Sequence, residues 1–213
     1  MASEIYDRIV GGDACVSVLG LGYVGLPIAL AFAKKVKVVG FDIDEERVEM
    51  MRQGIDPSGE ISAEEFEGCD IEFTSDPGVL STASFHIVAV PTPINPSQQP
   101  DLAPLLSASH ILGTIIKKGD YVVYESTVYP GCTEDDCVPV LENHSGLKMG
   151  SDFSVGYSPE RINPGDKTKK IKNINKIFAI NTNDRFVLHK IKKIYRLISK
   201  KIIFSKKIRE AET

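Results

Sequence analysis

Short apolar runs alternate with amphipathic stretches through the first 160 residues, the order in which strands and crossover helices follow one another in βαβ units. Ala14-Cys-Val-Ser-Val-Leu19 predicts a first strand, Leu26 to Lys35 the helix after it, and Val36-Lys-Val-Val-Gly-Phe41 a second strand. Glu45 to Arg52 predicts a second helix, with Asp44 as its N-cap and Gly54 closing it. Strands are expected at Ile71 to Thr74 and at Phe85 to Val90, the latter stopped by Pro91-Thr-Pro93. Leu102 to Ile116 has helical spacing and runs out into Lys117-Lys118-Gly119, cations and then glycine, as a helix C-terminus prefers. After the strand Tyr121 to Tyr124 come a loop, a helix across Glu134 to Glu142 and a short strand Phe153 to Val155. The pattern then repeats once: strand Lys176 to Ile180, helix Asp184 to Ser199 with Val187, Ile191, Ile194 and Ile198 on one face, and strand Ile202 to Phe204. Such alternation implies a mostly parallel sheet with helices on both faces.

Between the first strand and the first helix lies Gly20-Leu-Gly22-Tyr-Val-Gly25, in the one context where this spacing carries meaning for a dinucleotide. Gly20 permits the tight turn, Gly22 lets backbone approach a pyrophosphate, and Gly25 lets the helix pack closely. The helix N-terminus then faces the phosphates. Asp42 ends the second strand, 22 residues after Gly20, where a carboxylate accepts hydrogen bonds from a ribose diol. Together these features specify a Rossmann-like, doubly wound α/β fold that binds a dinucleotide. The carboxylate repels a 2'-phosphate, so NAD is expected rather than NADP. Arg47 is placed to lie over the adenine or to reach the ribose; sequence alone leaves a solvated helix arginine equally open.

Ligands of such sheets bind beyond the carboxyl ends of the strands, where three loops are candidates. Val90-Pro91-Thr92-Pro-Ile94 offers a hydroxyl on a rigid backbone, Glu125-Ser126-Thr127-Val128 two hydroxyls, and Ser158-Pro-Glu160-Arg161 an acid beside a cation. Spacing alone leaves each open to a structural reading, as a proline-ended loop, a Ser/Thr turn or an ion pair.

Composition narrows the class without changing the picture. The chain has 213 residues, 42% hydrophobic and 25% charged, which excludes a disordered or fibrous protein. No apolar run reaches the roughly 18 residues of a membrane span and no secretory signal opens the chain, so a cytoplasmic protein is expected. The four cysteines, Cys15, Cys69, Cys132 and Cys137, form no CxxC pair and have no histidine at ligand spacing, so free thiols and no metal are expected. His86, His110, His144 and His189 match no triad or metal pattern and are expected at the core edge or surface. The formal net charge of -4 hides an asymmetry: residues 1 to 166 carry 10 Lys and Arg against 26 Asp and Glu, residues 167 to 213 carry 15 against 3. The acidic body argues against nucleic acid as a partner; the basic end suits an acidic domain or an anionic ligand or surface.

GLGYVGLP, VPTPI, ESTVYPG and YSPERINPGD, in that order and spacing, resemble the nucleotide-sugar 6-dehydrogenases over nearly all of residues 12 to 166. The resemblance is strongest to the bacterial branch acting on UDP-N-acetylglucosamine and UDP-N-acetylgalactosamine. It implies oxidation of a sugar C6 alcohol to a carboxylate with NAD as acceptor, for surface-polysaccharide synthesis. It further implies cofactor contacts from Tyr23, Val24, Asp42, Arg47, Thr92 and Thr127 with their loop neighbours, Glu160 as catalytic acid/base, and Arg161 and Ile162 against the UDP-sugar. Pro164, where UDP-glucose enzymes carry a glutamate, supports the N-acetylhexosamine branch.

The family's cysteine nucleophile and its supporting lysine have no counterpart before Thr213. The expectation is an NAD-binding N-terminal domain across residues 1 to 213, inactive by itself, from a family that is homodimeric or larger. Residues 167 to 213, the last strand-helix-strand unit, fit the family less well. Two rival readings remain: an NAD-binding module without catalysis or another Rossmann dehydrogenase, and a membrane-surface or partner-binding role for the basic helix.

Overall fold

The computed structural model describes residues 5–94, 98–159, 175–182 and 185–213. Its strands are β1 (Cys15–Leu19), β2 (Val38–Phe41), β3 (Ile71–Thr74), β4 (Ala83–Val88), β5 (Tyr121–Tyr124), β6 (Ser154–Tyr157), β7 (Asn175–Ile180) and β8 (Lys201–Phe204). They form one eight-stranded sheet in the order β3-β2-β1-β4-β5-β6-β7-β8. The first six are parallel, with Val18 opposite Gly40 and Ile87 opposite Val123. β7 runs against β6, pairing Tyr157 with Ala179, and β8 follows β7 in parallel. The order reverses between β1 and β4, the switch point at which doubly wound sheets bind ligands.

Among the described residues, seven α-helices cover the two faces. α1 (Ile5–Gly11), α2 (Gly25–Ala33), α3 (Glu45–Arg52) and α6 (Arg185–Tyr195) share one apolar cluster with the sheet; α4 (Ala103–Gly113), α5 (Val138–Ser145) and α7 (Ile208–Ala211) share the other. The face predicted on α6 is the one that packs: Ile191, Ile194 and Ile198 are buried, each contributing about 1.5–3 kcal/mol. The apolar face that a membrane-surface reading of this helix requires is therefore already covered by the sheet. Among the described residues no helix is long and apolar enough to cross a membrane.

Helix and strand ends move where local chemistry decides. α2 begins at Gly25 because the Leu26 N–H already bonds the Gly22 carbonyl, and it ends at Ala33 because Lys35 and Val36 both turn back to the Phe32 carbonyl. β4 starts two residues earlier than predicted and ends at Val88, two residues earlier than predicted. The helix expected across Glu134 to Glu142 is instead a π-turn, Thr133–Cys137, followed by α5. Pro139, in the first turn of α5, has no N–H to donate into the turn before it. α1 and α7 were not expected; each buries only two side chains, Ile5 with Ile9 and Ile208 with Ala211, too little for a periodic signal. His86 is not at the core edge: it is fully buried on β4, with Ser17 Oγ 2.7 Å from Nδ1 and Asp120 3.5 Å from Nε2. His110 and His144 are exposed and lie ring to ring at 4.1 Å, and His189 is exposed.

Candidate functional site

The site is built outward from the turn after β1. Gly20 has φ +86°, and a Cβ there would lie 2.9 Å from both the Ala89 carbonyl oxygen and Val90 Cγ1. A Cβ on Gly25 would fall 1.8 Å from the Gly20 carbonyl oxygen. Protein packing thus accounts for both residues. Gly22 differs, since a Cβ there would meet no atom of the described residues within 4 Å. Its openness leaves room for something that is not protein, and a dinucleotide pyrophosphate fits it. α2 supports that fit: Val24 makes no side-chain cap, and no acidic residue sits in the first turn, so the positive end of the helix is left for an anion. The Val24 side chain is buried in the core, so only its backbone can face a ligand, whereas Tyr23 is exposed.

Asp42 follows β2 with both carboxylate oxygens held. Oδ2 accepts from the Leu21 N–H at 2.9 Å, Oδ1 from the Asp44 N–H at 3.1 Å. An ionised carboxylate has about four acceptor positions, so the remaining ones stay open to a ribose diol. Asp44 caps α3 as expected, accepting from the Glu46 and Arg47 N–H groups. Arg47 is half-buried and donates from Nη2 to the Leu21 carbonyl at 3.2 Å, tying α3 to the glycine turn. It is not a solvated helix arginine. Directly beside Asp42, Ile43 is 78% exposed, an apolar residue that the sequence reading passed over.

The first and second of the three candidate loops are stitched together. Ser126 Oγ donates to the Val90 carbonyl and Thr92 Oγ1 to the Thr127 carbonyl, both at 2.6 Å. Val90 also bounds Gly20, so the glycine turn, Val90-Pro91-Thr92 and Ser126-Thr127 form one continuous rim. The hydroxyls of Ser126 and Thr92 thereby serve the rim itself, while Thr127 and Pro91 are exposed on it. Glu160, Arg161 and Ile162 lie outside the described residues. Just before them, Ser158 is fully buried, and among the described residues its hydroxyl has no hydrogen-bond partner.

Below the rim lies a charged cluster that sequence reasoning missed. Glu125 is paired with Lys176 of β7 and accepts from the Tyr195 hydroxyl at 2.8 Å; all three are buried. Burial, then the Glu125 charge, pushes the Tyr195 hydroxyl well above its ordinary range. Glu212 accepts from the Gly131 and Thr133 N–H groups. All four cysteines are free. A side-chain contact with Cys137 and then burial push the Cys132 thiol up, away from the reactive thiolate form.

A glycine turn opening a helix, an acid at the end of the second strand and a rim at the switch point define a dinucleotide-binding domain of the Rossmann class. Residues 14–199 match the NAD-binding domain of the UDP-glucose/GDP-mannose dehydrogenase family. The chain belongs to that family, and its cofactor is NAD. The match enters the basic segment after residue 166.

The chain is 51% identical to the UDP-N-acetyl-D-glucosamine 6-dehydrogenase of Pseudomonas aeruginosa over 187 residues, 87% of this chain and 44% of that one. Among solved structures it is similar to the NDP-N-acetyl-D-galactosaminuronic acid dehydrogenase of Methanosarcina mazei, with TM-score 0.83 and 27% identity, covering 99% of this chain and 48% of that one. It is also similar to the UDP-D-ManNAc dehydrogenase of Pyrococcus horikoshii, with TM-score 0.80 and 30% identity, covering 92% and 48%. The chain thus spans about half the length of the relatives it matches.

Proposed function

We propose that this chain is the NAD-binding part of a cytoplasmic enzyme that oxidises the C6 alcohol of a UDP-N-acetylhexosamine to the carboxylate, for surface-polysaccharide synthesis. The rim joining Gly22, Asp42, Val90 and Thr127 carries the reading, and the 51% identity to a UDP-N-acetyl-D-glucosamine 6-dehydrogenase supports its substrate class. Asp42 receives the adenosine ribose, Arg47 and exposed Ile43 flank the adenine, and the α2 N-terminus with Gly20, Gly22, Tyr23, Val24 and Gly25 receives the pyrophosphate. The Val90-Pro91-Thr92 and Ser126-Thr127 loops bound the nicotinamide end.

When bound, NAD supplies the hydride acceptor. The chain's own part is to orient the cofactor and to manage a proton. We assign removal of the C6 hydroxyl proton to Glu160, which follows β6 in the sequence, and contact with the UDP-sugar to Arg161 and Ile162. We assign completion of the reaction, and assembly into a homodimer or larger, to parts of the enzyme outside this NAD-binding domain.

Calorimetric titration tests the reading. NAD binds, NADP binds about 10-fold or more weakly, and Asp42→Ala weakens NAD by about 10- to 100-fold. NADP binding as tightly as NAD, or a folded chain that binds neither, overturns it.

A further inference from the structure

We infer that the basic C-terminal unit, residues 175–213, is the positioning device of the Ser126–Thr127 loop, gripping the loop's two ends through the buried carboxylates of Glu125 and Glu212. The inference rests on the proposed function, in which that loop faces NAD.

β7 runs against β6, so its first residues stand at the carboxyl end of the parallel strands, the ligand end. There Lys176, 2% exposed, meets Glu125, 1% exposed. A buried charge left alone costs several kcal/mol, so each ion fixes where the other lies. Tyr195 of α6 donates to the second oxygen of Glu125 and fixes its rotation. The next residue is Ser126, whose hydroxyl holds the Val90 carbonyl, so a shift of Glu125 carries the rim with it. At the far end, Glu212 is 7% exposed and takes the N–H groups of Gly131 and Thr133. Arg209 adds hydrogen bonds of 2.6 and 2.7 Å to the two oxygens of Asp135.

Adhesion of the unit to the sheet does not need these ions. Phe178, Ile180, Ile191 and Ile194 already supply apolar packing, and a buried pair stabilises no better than a well-packed apolar one. What the ions add is a fixed position for the segment between them.

NADH fluorescence titration of the whole chain tests this, at a temperature well below each variant's Tm. Lys176→Met and Glu212→Ala weaken NADH by roughly 10-fold, and Tyr195→Phe, which loses one hydrogen bond, by roughly 3-fold. Glu212→Gln, which keeps an acceptor, recovers part of the loss. Asp56→Ala removes a buried carboxylate that holds only its own loop, through the N–H groups of Ser58, Glu60 and Ile61. It lowers Tm and leaves the NADH Kd unchanged. Folded Glu212→Ala and Tyr195→Phe proteins with wild-type Kd overturn the inference, as does an equal weakening in Asp56→Ala. If Lys176→Met fails to fold, those other variants decide. A wild-type chain that binds no NADH overturns the functional reading itself, a result distinct from variants that bind as wild type does.

Discussion

The sheet carries a buried charged network toward each end, and the two are built differently. Toward the amino ends of the strands, Asp120 lies 3.5 Å from His86 Nε2 and accepts from the Lys117 N–H at 2.9 Å and from Lys117 Nζ at 3.2 Å, while His86 meets Ser17 across β1 and β4. Its charges come from β4 and from the turn into β5. Beyond the carboxyl ends, Glu125 draws its counter-ion and its hydroxyl from β7 and α6, 51 and 70 residues further along. The first network fastens neighbouring strands. The second fastens a late unit of the chain to the Ser126–Thr127 loop, to which we assign the cofactor's nicotinamide end, so it is the one whose disturbance is expected to reach binding.

Substitutions that break each network separate these roles. The largest effect belongs to Lys176→Met, which strands a buried carboxylate and costs about 3–5 kcal/mol of stability; Lys176→Met with Glu125→Leu recovers most of it in thermal denaturation. A double variant as unstable as the single one removes the pairing argument. Asp120→Ala removes the acceptor of the Lys117 N–H and the carboxylate beside His86 and costs about 1–3 kcal/mol, with NADH affinity unchanged, as a network remote from the rim requires. A change in Kd here erases the contrast between the two ends.

Acid sharpens the same contrast. Burial alone raises the Asp120 carboxyl, but the His86 ring 3.5 Å away, with the Lys117 N–H and charge, holds it below its ordinary 3.8. A carboxyl depressed in the folded state contributes fully above its unfolded value and loses that contribution as pH falls through its folded one. Tm of the wild type therefore declines more steeply below about pH 4 than that of Asp120→Asn, a difference read by melting scans from pH 6 to pH 2. Parallel curves contradict it. The smallest effect is that of Tyr195→Phe, about 1 kcal/mol for one hydrogen bond, paired with the loss of NADH affinity that no Asp120 variant shows.

Elements whose signals are local were legible at the level of single residues. α3 occupies Glu45–Arg52 with Asp44 as its cap, and β3 and β5 occupy Ile71–Thr74 and Tyr121–Tyr124, all as read from periodicity and capping. The glycine turn and Asp42 were legible because each glycine answers to a backbone path fixed within a few residues. The π-turn before Pro139, the two-residue anchoring of α1 and α7, and the reversed direction of β7 were not, because no local pattern encodes them.

The sequence by itself determined the doubly wound class, the glycine turn between β1 and α2 and the acid after β2 to which we assign the choice of NAD, since these follow from spacing along one βαβ unit. Only the tertiary structure decided that Arg47 braces the glycine turn, that Ser126 and Thr92 bond to each other's loops, and that Glu125 and Glu212 are held within the C-terminal unit. The partners in those contacts stand from 26 to 81 residues apart, and a hydrogen bond or buried ion pair across such a span leaves no period in the chain that makes it.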